Sequence, residues 1–291
     1  MSTINTSFQA LQIALTLGSN QDLLNGSLSQ LSSGSRISTP ADDPVGVGDS
    51  GQMTAQSQRL DAASTNIQNA ISYTQASDSI LGNVGAILSQ MSQTATLAQD
   101  PTLSSSSTAA YQIQFKALQD ELRQIIGGTT AEIGGTTDIN NPLGSYNGAS
   151  LYGPSASGYQ VSLGNSAGQS IAIPATNLCT GAVLNLISQD SSGNYSVNVS
   201  NASPTDLSAA IQQVAGARAT IGAAQERLNL AAATNQTQNT NLQSAISQIN
   251  DVDVAAGSTA AATYNILVQM DAAMLAQANT NAAAVLTLLK D

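Results

Sequence analysis

MTAQSQRLDAASTNIQNAISYTQASDSILGNVGAILSQMSQTATLA, residues 53–98, repeats at steps of three and four. The positions so selected are Met53, Gln56, Leu60, Ala63, Ile67, Ala70, Thr74, Ser77, Leu81, Val84, Leu88, Met91, Ala95 and Ala98. Eleven of these fourteen are apolar and the register never slips. A 3.5-residue apolar period is the heptad seam of a coiled coil. At ~1.5 Å per residue it predicts a helix of roughly 68 Å.

A second seam lies far away in the chain: Leu207, Ile211, Val214, Arg218, Ile221, Gln225, Leu228, Ala232, Asn235, Asn239, Leu242, Ile246 and Ile249. Ser203 can cap its start, Pro204 suits the first helical position and Asp206 the third. Two seams of matching length are natural partners. Gln56, Arg218, Asn235 and Asn239 interrupt them. Such residues either fix register at a cost in stability or mark where the seam meets solvent, and both readings stay open here. A shorter helix is expected over residues 108–126, with Tyr111, Phe115, Leu118, Leu122 and Ile125 on one face and Gly127-Gly128 as the stop. From Gly127 to about Ala202 the chain turns rich in Gly, Asn and Ser. Alternation in Tyr159-Val161-Leu163, Ile171-Ile173 and Tyr195-Val197-Val199 predicts short strands, with turns at 164–168 and 191–194. A small antiparallel β region capping one end of the bundle is expected.

Both ends are helical in pattern and nearly without charge. Asp22 is the only charge in the first 35 residues; Asp271, Lys290 and Asp291 are the only ones from Val254 onward. Ile4, Phe8, Leu11 and Leu15 form one stripe, and Leu17, Leu24, Leu28 and Leu31 a slightly rotated one. Tyr264, Val268, Asp271, Leu275, Ala278, Ala282, Val285 and Leu289 form another, while Ile266, Leu267, Met270, Met274, Leu286 and Leu288 add apolar surface on other sides. A helix apolar around most of its circumference must be surrounded. Chain ends are ordinarily polar, so these call for a partner.

Composition narrows the function. Charged residues are 9% and aromatics 3% of the 291; histidine and tryptophan are absent and the net charge is −11. That charge opposes nucleic acid and anionic membranes as partners. No basic-then-apolar leader and no ~20-residue apolar run is visible. Gly46–Gly51 fits G-x-G-x-x-G, but residues 39–44 cannot be the buried strand that a dinucleotide site requires. Gly164–Gly168 fits G-x-S-x-G, yet there is no histidine to act as base. Asn250, Asp251 and Asp253 lack the glycine and distal glutamate of a calcium loop and read as a helix junction. Cys179, the single cysteine, reads as a small buried hydrophobe. No catalytic, cofactor-binding or metal-binding residue is expected.

The order and wording of several segments resemble bacterial flagellin. LSSGSRIS-x-x-x-DD at 31–43 is similar to that family's N-terminal signature. AISYTQASDSILGNVGAILSQM at 70–91 and YNG at 146–148 follow in the family's order. RATIGAAQERL at 218–228, AISQINDVDVA at 245–255 and MLAQANTNAAAVLTLL at 274–289 match its C-terminal half. The likeness covers residues 1–150 and 205–291.

The resemblance implies a mainly α fold: a long coiled coil or helical bundle formed by the N- and C-terminal segments, with a small antiparallel β region in the middle. It implies an inner terminal coiled-coil layer (1–35 and 252–291), a connecting segment (36–50) and an outer bundle layer (51–251, with a β region at about 128–203), without large additional outer domains. Its implied subunit interface in the inner layer is Phe8, Leu11, Leu15, Leu24, Leu28, Leu31, Tyr264, Leu267, Val268, Met274, Leu275, Val285, Leu288 and Leu289. Arg36, Asp42 and Asp43 would make contacts from the connecting segment. There Gly34 and Pro40 end one helix and Pro44 helps to prevent a continuous one. Since Pro40, Pro44, Gly46 and Gly48 stand where small helix formers are more usual, the next helix is expected to start late.

The implied function is a structural subunit polymerising with itself into the extracellular flagellar filament for motility. Its other implied partners are an export chaperone at the C-terminal segment, a filament cap and hook-junction proteins. Export would use the flagellar secretion system without a cleaved signal peptide. A hook–filament junction protein is the alternative, and a secreted coiled-coil adhesin a reading from another class.

Overall fold

A computed structural model describes residues 8–153, 156, 158–164 and 169–288. Its elements run α1 (Phe8–Ser33), α2 (Pro44–Ala98), α3 (Ser105–Ile126), α4 (Thr130–Ile133), β1 (Ser145–Tyr146), β2 (Ala149–Ser150), β3 (Tyr159–Ser162), β4 (Ser170–Ile173), α5 (Gly181–Ile187), α6 (Pro204–Asn250) and α7 (Val254–Leu288). The chain divides into two compact units, Met1–Gln58 with Asn239–Asp291, and Arg59–Gln238.

In the unit Arg59–Gln238 the α2 seam is buried as its period requires. Every seam residue from Leu60 to Ala95 is inside, Thr74 and Ser77 included. The two hydroxyls are satisfied there. Thr74 Oγ1 donates to the Ile71 carbonyl, and Ser77 Oγ pairs with Tyr152 Oη at 3.2 Å. α6 runs antiparallel to α2, as three contacts show. Arg218 grips Asp78 through two nitrogens at 2.7 and 3.0 Å, Val214 lies over Gly85, and Gln99 Nε2 donates to Ala202 O. The polar seam residues differ in placement. Asn235 is buried and donates to Leu163 O at 3.3 Å, which ties α6 to the segment after β3. Arg218 is exposed and reaches its partner at the seam's edge.

α3 begins at Ser105, three residues before the expected start, because the Ser104 side chain accepts from Ser107 N–H and caps it. It stops at Gly127, whose φ of 72° is open to glycine alone at little cost. One face carries Phe115, Leu118, Leu122 and Ile125 into the core.

The middle of the chain does not cap an end. It lies along the flank of the bundle. Gly164 rests on α2 at Arg59 and Ala63, Tyr152 reaches Ser77, and Ala202 meets Gln99. Antiparallel β3 and β4 pair Tyr159 with Ile173 and Val161 with Ile171, at the first two predicted strands. A two-residue hairpin, β1–β2, turns at Asn147-Gly148.

The third expected strand, Tyr195–Val199, does not form. Side chains of α3 take the place of a partner strand. Gln119 Nε2 donates to Val197 O, Gln112 Oε1 accepts from Val199 N–H, and Asp120 accepts from Tyr195 Oη. Helix α5 occupies part of the expected β region. Arg123 joins these pieces. It is 5% exposed, and its guanidinium donates to Ile133 O at 2.8 Å, Ile187 O at 2.9 Å and Gly134 O. Those carbonyls end α4 and α5, where unpaired C=O groups accumulate. Burial lowers the Arg123 pKa, and the carbonyl dipoles hold the charge in place. Cys179 is buried as expected, and burial pushes its thiol up to about 11, away from reactivity.

Candidate subunit interface

The unit Met1–Gln58 with Asn239–Asp291 is built on α1 and α7. They run antiparallel, with Leu31 of α1 against Gly257 of α7 and Asn20 against Asp271. A Cβ on Gly257 would lie 3.1 Å from Leu31 Cδ2, so the helices approach closely at that turn. The half-buried positions of α1 include Ile13, Leu17, Asn20, Leu24, Ser27 and Leu31. Those of α7 include Gly257, Tyr264, Val268, Asp271, Leu275 and Ala278, with Ala261 buried. Both series step by three and four, the spacing of a coiled-coil seam. Within it Asn20 Nδ2 donates to Asp271 Oδ2 at 2.7 Å. A polar pair at a seam position penalises every register that would separate it.

The opposite face of α1 is apolar and bare over its first two turns, where Phe8 is 76% exposed, Leu15 68% and Leu11 55%; Leu28, 50% exposed, flanks the seam between Leu24 and Leu31. On α7, Ile266, Met270 and Met274 form an exposed stripe, each more than half accessible. The expected interface residues thus fall into two groups. Leu24, Leu31, Tyr264, Leu267, Val268 and Leu275 are half-buried within the unit. Phe8, Leu11, Leu15, Leu28 and Met274 are exposed. Leu289 lies outside the described residues, as do the side chains of Val285 and Leu288.

The breaks at 34–43 and 251–253 are stitched to each other. Ser35 and Asp251 form an antiparallel bridge. Val252 N–H donates to Gly34 O at 3.0 Å, Arg36 N–H donates to Asn250 O at 2.6 Å, and Ser35 Oγ donates to Asn250 Oδ1 at 3.0 Å. Arg36 is the centre of this junction. Its Nε and Nη2 both donate to Ile249 O, at 3.0 and 2.8 Å. A cation here satisfies a terminal carbonyl of α6 and opposes the negative end of its dipole. Nη2 also meets Asp43 Oδ2 at 3.0 Å.

Asp43 is the N-cap of α2, its Oδ1 accepting from Gly46 N–H at 2.9 Å. Pro44 then takes the first helical position, where its missing N–H costs nothing. The helix therefore starts at Pro44, earlier than expected. α2 thus begins within the expected link 36–50, and α1 and α2 are not one continuous helix. Asp42 makes no ion pair among the described residues; its Oδ2 accepts from Ser38 and Thr39 N–H at 3.0 and 2.8 Å. The Thr39 amide holds the Asp42 carboxyl below its ordinary value. The Gly46 amide, followed by Arg36, does the same for Asp43. On the other side Asp253 caps α7 through Ala255 and Ala256 N–H.

The chemical motifs are placed as follows. Gly46, Gly48 and Gly51 lie inside α2. Of Gly164–Gly168, only Gly164 is among the described residues. Among the described residues no three His, Cys, Asp or Glu gather as a metal site, and no helix is long and apolar enough to cross a membrane. Sequence reasoning missed the Asn20–Asp271 pair and the capping role of Arg36. The step of three and four from Leu17 through Asn20 to Leu24 was the available signal for the first.

The bacterial flagellin N-terminal helical region matches residues 4–133, and the flagellin C-terminal helical region matches residues 205–289. The chain is 30% identical to the flagellar filament 30.7 kDa core protein of Treponema maltophilum, over 98% of this chain and 99% of that one. The chain belongs to the flagellin family. Flagellins of Halalkalibacterium halodurans and of Bacillus subtilis are each 30% identical over 99% of both chains. The two family regions bracket the flanking segment 134–204, so the part with no family match is the one that packs against α3.

Proposed function

We propose that this flagellin-family chain is a structural subunit that polymerises with itself into the flagellar filament. The observation that supports this most directly is α1, apolar on two opposite faces. One face meets α7; the other, with Phe8, Leu11 and Leu15, is bare. A helix of that kind needs cover on both sides, and the second cover is a neighbouring copy. The contact is heterologous, one surface meeting a different surface of the next subunit, which generates an open helix. The exposed Ile266, Met270 and Met274 stripe of α7 serves the same layer. The names of the relatives favour a filament subunit over a hook–filament junction protein.

Several finer features belong to the same reading. The chain is exported to the extracellular filament by the flagellar secretion system, without a cleaved signal peptide. A chaperone shields the C-terminal segment before assembly, and cap and hook-junction proteins bound the polymer. The junction of Arg36, Asp42 and Asp43 fixes how the chain leaves α1 and enters α2. The role is structural, with no catalytic step. Electron microscopy of sheared filaments, with mass identification of the subunit, tests the proposal. Filaments that lack this chain in cells expressing it, or purified chain that never polymerises, would overturn it.

A further inference from the structure

In the unit Arg59–Gln238 a cavity of about 550 Å³ opens between α2 and the two hairpins. Its volume lies in the range of small-molecule sites. Three elements bring three tyrosines together there: Tyr73 from α2, Tyr146 from β1 and Tyr159 from β3. Tyr73 meets Tyr146 edge to face at 5.5 Å between centroids, and Tyr159 at 5.0 Å. Neither contact is face to face, so the rings line a trough and do not close into one stack. Beside them lie the carboxamides of Asn66 and Asn147, while Gln160, on the other face of β3, accepts from Ser170 Oγ at 3.0 Å. Asn147 has a φ of 50°, a left-handed conformation that asparagine tolerates better than most residues. Among the described residues no lining side chain is charged.

That inventory is selective. Aromatic rings offer flat apolar area with a polar tip, and carboxamides both donate and accept. Asn66 and Asn147 are exposed and are not used in the hydrogen bonding of the core. A ligand suited to the site has apolar C–H faces, several hydroxyls and no charge. We propose that this trough binds a neutral saccharide unit, its ring against Tyr159 and Tyr146 and its hydroxyls on Asn66 and Asn147. An anionic sugar gains nothing here, because no cation among the described residues lines the site. The unit can come from a soluble oligosaccharide or from the end of a surface-bound glycan; the chemistry is the same.

The test does not depend on polymerisation. The intact monomer is titrated with neutral di- and trisaccharides of glucose, galactose and N-acetylglucosamine, and with sialylated counterparts, and tyrosine resonances are followed. Saturable shifts of Tyr73, Tyr146 and Tyr159 with at least one neutral sugar are expected, and weaker shifts with the sialylated ones. Tyr159→Ala and Asn66→Ala alter exposed residues; each is expected to weaken binding tenfold or more with unchanged circular dichroism. Assembled filaments are then tested on the same sugars, soluble and tethered to a surface. Binding to soluble sugar alone assigns the free source; binding to both assigns glycan ends as well. No shift with any neutral sugar, or equal binding by both variants, would overturn the site. So would binding by the monomer that vanishes in the filament, because the trough would then be a seat for another copy. Filament formation by the two variants, measured separately, keeps this outcome distinct from failure of the filament proposal.

Discussion

The two units use the same kind of sequence in opposite ways. In the bundle, the apolar seam of α2 meets its own chain; Leu60, Leu81, Leu88 and Met91 are essentially inaccessible. In the terminal unit, side chains of equal apolarity stand in the open: Phe8, Leu15, Met270 and Met274 are more than half exposed. Apolar area kept from water stabilises the fold within one chain. Left bare in contiguous stripes, it marks a surface that another molecule covers. The difference separates what a subunit supplies for its own folding from what it leaves for assembly.

The severest way to break this comparison is truncation. Removal of residues 1–35 and 262–291 should abolish filaments, read by electron microscopy, while circular dichroism still shows a cooperative melt of the bundle. Ordinary filaments from the trimmed chain would erase the distinction. Next in size is a matched pair of deletions. Leu88→Ala should cost the monomer about 2–5 kcal/mol in denaturant unfolding. Leu15→Ala should change it by no more than about 0.5 kcal/mol, yet raise the critical concentration for assembly. Equal effects of the two on the monomer would contradict the assignment of faces.

Arg123→Gln sharpens the comparison from inside the bundle. It leaves carbonyls at the ends of α4 and α5 unpaired and should cost about 3 kcal/mol, with filament contacts intact once the chain is folded. The smallest effect is expected at the junction. Asp42→Ala with Asp43→Ala should slow filament growth while barely altering the melting of the bundle. Acid should do the same. Both carboxyls sit below the ordinary value of 3.8. The stability they contribute is therefore present above about pH 4 and is lost as pH falls through the lower folded values. Hydrogen exchange at Ser38, Thr39 and Gly46 should accelerate over that window. Exchange that is flat there would remove the carboxylates from the account.

Much of the bundle was legible because a 3.5-residue period is a one-dimensional signal. The α2 seam named from residues 60–95 is the buried seam. The third strand failed because alternation in Tyr195–Val199 reports side chains and says nothing about what pairs with its backbone. Here Gln112 Oε1 accepts from Val199 N–H and Gln119 Nε2 donates to Val197 O, both from α3. Arg123 gave no warning, since an arginine in a helix ordinarily faces water. In the connecting segment Pro44 was read only as a break in continuity, and it also opens a helix. The same ring does both, and the Asp43 carboxylate in front of it decided which.

The interface was half legible. The sequence alone marked both ends as apolar, almost uncharged and helical, with a link over 36–50 and a helix junction at Asn250, Asp251 and Asp253. It did not tell which apolar face of α1 belongs to α7. Phe8, Leu11 and Leu15 are as apolar as Leu17, Leu24 and Leu31 of the seam. Apolar attraction has no direction, so either face could have served. The tertiary structure chose the other one, because only there do a close approach at Gly257 and the Asn20–Asp271 hydrogen bond occur together. Those are directional constraints, set by two helices in space.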